Sequence, residues 1–404
     1  PDRRYQSAEA LRRDVELFLA GEPIDAKRDS SWYVITKTLL RHKLQVAAAV
    51  LLVVLLTGFG AAMSVLYRQA RTEADKVSKI NVFLEDTLGS VEPAGAGEVT
   101  VRDFLDEGVY WIELALADQP EVEASLRTII GNAYRNVGRL EEAEVQLTAA
   151  METRRALFGE RHLETTKSLS SLGLLRLAQG RVEEAEAYFQ QALDVRRDLL
   201  GGEHLQVSSA LVNLAAAKRA RGDAAAAEQL LREALTIRRT RLGESHPDVA
   251  MVQFKLAQLI EDRGGLGAAL ALQERALATR RVRLHQDHPD LTRSLIALGS
   301  LHLRMGRPES AEPLLREALE HRQRVLPEGH WRTARTRCLL GSCLAAQGRH
   351  ADAEPLLLAG YDGLRSARGD RNAETVAALD ALIDLYETWP RPAEAERWRA
   401  RRTE

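Results

Sequence analysis

The chain has 404 residues, with 56 Lys plus Arg against 58 Asp plus Glu, so it lacks the overall positive field that nucleic-acid binding requires. Aromatic residues make up only 5% and Ala, Leu, Glu and Arg dominate, which favours helix over strand and predicts an all-α protein. The two cysteines, Cys338 and Cys343, fall on different faces of one predicted helix and cannot pair with each other in place.

Residues 1–24 open in mid-pattern. Ser7 is placed to cap a helix on which Leu11, Val15, Phe18 and Leu19 form one apolar stripe, and that stripe requires a core that the chain does not supply. Arg4-Tyr5-Gln6-Ser7-Ala8 and the stop at Gly21-Glu22-Pro23 resemble the last helix of a protein-kinase catalytic domain, as in bacterial eukaryote-like serine/threonine kinases. The resemblance implies that Arg4 is the buried arginine that pairs with a glutamate ending the activation segment. That glutamate, the glycine-rich loop, the ATP-anchoring lysine, the catalytic-loop aspartate and the metal-binding Asp-Phe-Gly are all absent. ATP and Mg are therefore expected only for a catalytic domain outside this chain. Arg102-Asp103-Phe104 is a chance echo, followed by Leu105 on a helix that Thr100 should cap.

Residues 25–43 read as a basic juxtamembrane segment with Lys27, Arg28, Lys37, Arg41 and Lys43. From 44 to 66 no charged residue occurs, and the apolar run from Val46 to Leu56 covers every helical face. As a helix this stretch would extend about 34 Å, enough for a bilayer core, and predicts one transmembrane helix. Flanking charges, with Arg68, Arg71, Lys76 and Lys79 beyond the span, slightly favour a cytoplasmic N-terminal side, which would put the C-terminal part outside the cytoplasm. Residues 67–119 read as a stalk and lead-in helices, with Val77, Ile80, Leu84 and Leu88 on one face and a loop from Val91 to Gly97.

Residues 120–404 repeat. A period of 42 aligns Gly138, Gly180, Gly222, Gly264, Gly306 and Gly348, and further columns hold Ala143, Ala185, Ala227, Ala269, Ala311, Ala353 and Ala395, then Glu144, Glu186, Glu228, Glu312, Glu354 and Glu396. Each unit reads as a helix, the column glycine where the chain must reverse, and a second helix. Asn213-Leu214-Ala215 followed by Gly222, Ala227-Glu228 and Arg232-Glu233-Ala234-Leu235, with Leu242-Gly243-Glu244-Ser245-His246-Pro247-Asp248-Val249 as the join, resembles the tetratricopeptide repeat in its 42-residue, kinesin-light-chain-like form. The resulting expectation is an all-α tetratricopeptide-repeat superhelix, an α-solenoid, preceded by one transmembrane helix.

His162, His204, His246, His288 and His330 form another column, too widely spaced to share a metal and placed just before helix starts, so they are expected to be structural joints rather than metal ligands. The pairs Arg154-Arg155, Arg196-Arg197, Arg238-Arg239 and Arg280-Arg281 should complement the negative ends of the second helices. No Ser-His-Asp, His-Glu-x-x-His or phosphate-loop spacing occurs, so no catalytic residue is assigned. By the resemblance, a concave groove for a protein or peptide ligand would be lined by Asn132, Arg135, Ser209, Asn213, Met251, Phe254, Gln258, Arg293, Ser300, Arg304, Arg335 and Ser342. The order kinase tail, span, stalk and repeats resembles bacterial receptor-like kinases, which implies a sensor or scaffold of a single-pass serine/threonine kinase, with a homodimer as the physical route for signalling. The alternative is a membrane-anchored adaptor with no enzyme attached.

Overall fold

The computed structural model describes residues 5, 7–41, 44, 47, 51–52, 54–68, 71, 74, 78, 100–116 and 118–403. The chain divides into two compact units, 1–92 and 93–404.

In the first unit, helix α1 (Ala8–Leu19) starts on Ser7, whose hydroxyl accepts a hydrogen bond from the Ala10 N–H at 3.1 Å. Asp14 is buried and accepts from the Tyr5 hydroxyl and from the N–H groups of Asp25 (2.7 Å) and Ala26 (3.0 Å), so that it caps the short turn at Asp25–Lys27. Desolvation opposes its ionisation, yet these hydrogen bonds prevail and hold the carboxyl below the usual aspartate range. Leu11, Val15, Phe18 and Leu19 are all exposed, as a stripe without its own core should be. Helix α2 (Ser31–Arg41) comes next, and the Lys37 ammonium lies 4.8 Å from the Phe18 ring centre.

The membrane span expected at 44–66 is corrected. Among the described residues, no helix is long and apolar enough to cross a membrane. Among the helical residues described there, Thr57, Gly58, Gly60 and Ser64 interrupt the apolar ones and Arg68 carries a charge. Positions 45, 46, 48–50 and 53 of the expected span lie outside the described residues, as do Arg4, the stalk positions Val77, Ile80, Leu84 and Leu88, and the expected loop 91–97.

The second unit opens with α3 (Val101–Ala115), where Thr100 and Asp103 form a reciprocal capping box. Among the described residues seven helical hairpins come after it. Their first and second helices are α4 (Pro120–Asn136) and α5 (Leu140–Phe158), α6 (Leu163–Ala178) and α7 (Val182–Leu200), α8 (Leu205–Ala220) and α9 (Ala224–Leu242), and α10 (Pro247–Asp262) and α11 (Leu266–Arg283). The last three pairs are α12 (Pro289–Arg304) and α13 (Pro308–Val325), α14 (Trp331–Ala346) and α15 (His350–Arg368), and α16 (Ala373–Thr388) and α17 (Pro392–Thr403).

The repeat columns explain this geometry. Each column glycine has a φ between 69° and 89°, which lets the next N–H turn back onto the first helix, as from Arg181 to the Arg176 carbonyl at 2.8 Å. At Gly173 a Cβ would overlap the Phe189 ring, so the absence of a side chain sets how closely α6 and α7 approach. The glutamate column latches one repeat to the next: Glu144 accepts from Arg176 and Gln179, Glu186 from Lys218 and Arg221, Glu312 from Gln347 and Arg349, and Glu354 from Tyr386.

The fourth hairpin breaks these rules. Leu270 stands where the other units have the latching glutamate, and the facing His302 has a buried Nδ1 with no partner. Gln273 occupies the column of Leu147, Phe189, Leu231, Leu315 and Leu357; it is fully buried and both of its amide atoms lack partners. Gln253 replaces Leu169, Leu211 and Leu295 in another buried column. An unpartnered buried amide destabilises a fold by about 1–3 kcal/mol. Gln273→Leu should therefore stabilise the array by an amount of that order, read as a raised urea midpoint at unchanged slope, and a lowered midpoint would show that the amide is satisfied in solution.

Candidate peptide-binding groove

Successive first helices pack directly on one another in repeats 1 to 3 and again in repeats 5 to 7, whereas the second helices of neighbouring repeats make no comparable contact. The first helices therefore form the inner, concave side of the stack. Helix α10 of the fourth repeat packs more loosely on both α8 and α12. Where it does, a groove of about 650 Å3 opens, walled by Phe254, Gln258, Glu261 and Asp262 from α10, Arg293, Ile296 and Ser300 from α12, and Trp331, Arg332 and Arg335 from α14. Ion pairs bridge its rim. Asp262 meets Arg219 of the third repeat at 2.5 Å, and Glu261 meets Arg304 of the fifth at 2.6 Å.

Of the residues expected to line a groove, Phe254, Gln258, Arg293, Ser300 and Arg335 come together here, while Met251, Arg304 and Ser342 lie elsewhere on the same three helices and Asn132, Arg135, Ser209 and Asn213 on first helices of earlier repeats. Phe254 is buried, with the Arg280 guanidinium 4.9 Å from its ring centre. Arg293 pairs with Asp290 at 2.7 Å and Arg335 with Glu374 at 3.4 Å. Asn132 donates to the Thr128 carbonyl and to Ser171, so it joins two repeats. Ser209 donates to the Leu205 carbonyl and accepts from Arg238, Arg135 reaches Asn136, and Met251 packs against the core of the third repeat. Asn213, Gln258, Ser300 and Ser342 make no side-chain hydrogen bond among the described residues, which leaves four polar groups unengaged along one face.

The arginine pairs divide their roles, which was not visible in the sequence. The second of each pair stays near the helix end, as Arg155 does beside Glu160 at 2.8 Å and Arg239 beside Glu244 at 2.9 Å. The first is buried in the joint. Arg196 donates to Thr166 and to the Gln206 carbonyl, Arg238 to Ser208 and the Asp248 carbonyl, and Arg280 to Ser294 and the Asp290 carbonyl, each tying a second helix to the start of the next repeat. Arg154 and Arg322 complete the column. These guanidinium groups have hydroxyls and carbonyls rather than close carboxylates as partners, the nearest being Glu164 at 3.8 Å and Asp290 at 4.0 Å. Burial lowers the pKa values of all five. That of Arg322 falls to about 10, because Arg335 and Arg332 add to the effect of burial.

Each column histidine caps the first helix that begins beside it, its Nδ1 accepting from the N–H two residues on: Glu164, Gln206, Asp248, Asp290 and Arg332, at 3.1 to 3.2 Å. Among the described residues, no group of three His, Cys, Asp or Glu side chains could hold a metal ion.

Tetratricopeptide-repeat models match residues 121–198, 164–240, 206–281, 248–324 and 296–371. The chain belongs to the tetratricopeptide-repeat family. Among solved structures, the tetratricopeptide array is similar to the TPR-like repeats of a Podosopora anserina chain named for the kinesin light chain, at 23% identity over 52% of this chain and 99% of that one, with a TM-score of 0.46. BtubC (BKLC) from P. vanneervenii matches at 21% identity over 56% and 92% of the two chains, with a TM-score of 0.48. A signal transduction ATPase with numerous domains and a tetratricopeptide repeat sensor, from Pyrococcus horikoshii, matches at 12% identity over 78% and 51%, with a TM-score of 0.54. At such identities the likeness is one of fold. No curated protein matches the chain. The family matches begin at residue 121, so the kinase-like reading of residues 1–24 gains nothing from them.

Tetratricopeptide repeats are protein-interaction modules, and the groove is where this array offers unengaged polar groups. Its stability should also respond to pH. Burial first, then Arg332 and Arg322, hold the His330 pKa below its ordinary value, and only the neutral ring can accept at Nδ1 from the Arg332 N–H. A depressed folded pKa means that the contribution is complete above the unfolded value of about 6.5 and is lost as pH falls through the folded value. His330→Asn, which copies the cap that Asn372 makes with the Glu374 N–H, should keep stability near neutrality and flatten this acid-side loss in urea unfolding. An unchanged slope would place its origin elsewhere.

Proposed function

We propose that the concave groove around the fourth repeat holds an extended segment of a partner protein. The observation that carries this reading is the row of unengaged polar side chains, Asn213, Gln258, Ser300 and Ser342, on first helices of four successive repeats, of which Gln258 and Ser300 line the open groove. An extended peptide has an unpaired N–H and C=O at every residue, and amide and hydroxyl side chains spaced along a groove can satisfy them. Gln258→Ala combined with Ser300→Trp should reduce partner recovery in crosslinked pull-downs with the full chain by about tenfold while helical content stays unchanged. Undiminished recovery of every partner would remove the groove from the account.

The finer reading is that the repeats act as sensor or scaffold for a serine/threonine kinase. It is supported by the N-terminal segment, where α1 is capped by Ser7, turns at Gly21 and leaves its apolar stripe exposed. The coding sequence upstream of Pro1 should then encode a glycine-rich loop and a catalytic-loop aspartate. If both are missing there, the adaptor reading replaces it.

A further inference from the structure

The repeats contain three lysines, Lys167, Lys218 and Lys255. Two are engaged: Lys167 meets Glu164 at 2.5 Å and Lys218 meets Glu186 at 2.6 Å. Lys255, exposed on α10, has no hydrogen bond and no ion pair among the described residues. It borders a second cavity of about 350 Å3 between the third and fourth repeats, walled mainly by Val212, Ala215, Ala216, Ala220, Leu231 and Leu259. The cavity exists because α10 packs more loosely on α8 and because α8 presents alanines toward it. Arg219, the other cation at this cavity, is already held by Asp262 at 2.5 Å.

We infer that this cavity anchors the partner segment through an acidic residue beside an aliphatic one: a Val, Leu or Ile side chain enters between α8 and α10, and a neighbouring Asp or Glu carboxylate pairs with Lys255. The assignment rests on the peptide-binding reading of the groove and adds its chemical class. Charge complementarity selects the carboxylate. Lys255 faces Arg219 on α8, Arg238 on α9 and Arg293 on α12, with Asp290 on α12 as the opposing charge. Although Lys255 still reaches solvent, the repeats crowded around it lower its pKa, by desolvation first and then through Arg293, Arg219 and Arg238. An arriving carboxylate supplies the missing countercharge, whereas a cationic segment would add to the repulsion. The apolar lining accepts an aliphatic side chain and offers few polar groups to any other.

This arrangement links binding to protons. Because the free ammonium is destabilised and the paired one is not, Lys255 gives up its proton more readily in the empty groove, and at alkaline pH binding must take a proton up. The test begins with a phage-displayed dodecapeptide library selected on the full chain, followed by calorimetry of a selected peptide in buffers of different ionisation enthalpy. Enriched sequences should place Asp or Glu next to or one residue from Val, Leu or Ile. Lys255→Met should weaken binding by about tenfold or more. Lys255→Arg should keep most of the affinity but abolish the proton uptake, since a guanidinium remains charged. Ala216→Trp should block the aliphatic side chain and weaken binding independently of pH. Enrichment of peptides without such a pair, or unchanged binding by Lys255→Met, overturns the anchor and leaves the groove standing. No enrichment at all overturns the groove reading itself.

Discussion

The joint between consecutive hairpins is the constraint on which everything else in the repeat unit depends. A two-helix hairpin has too little interior to bury its apolar face, so each unit is completed only by its neighbour. Four features of the period meet at that joint. The column glycine reverses the chain, the histidine starts the next first helix, the buried arginine crosses from a second helix to the next repeat, and the glutamate reaches forward to the end of the following first helix. They act at different heights of the same interface, which keeps one repeat in register on the next.

The buried arginines do more than fasten. A guanidinium held by hydroxyls and carbonyls keeps its charge in a medium that screens it poorly. The row of them lies beneath a concave face whose surface arginines are largely matched by carboxylates. Net charge on the chain is close to zero, so any preference of the groove for anions comes from this placement and not from composition.

The fourth repeat shows how an open concave surface arises from departures at the joint. Its second helix lacks the glutamate latch, its core holds Gln253 and Gln273 where leucine is usual, and its first helix packs more loosely than the others on the first helices beside it. Both cavities on the concave side border that helix. Natural arrays tolerate such weak packing when flanking repeats are well packed, and close packing of first helices on either side supplies that support.

From sequence alone, periodicity was sufficient to establish the helical hairpins, their reversal at the glycine column and the histidine joints, because these depend on local backbone rules repeated every 42 residues, while the family entered only as a resemblance of the repeat motifs. Uniform hydropathy is a poorer guide at 44–66, where the apolar run predicts a span that the described helices do not provide. Tertiary structure alone decided which arginine of each pair is buried, that Phe254 faces the core, and that Trp331, Arg332 and Lys255 join the concave cavities. The physical reason is that helix periodicity places a residue on a face, but which face meets a neighbour, and at what distance, is set by the side chains of the adjoining repeat.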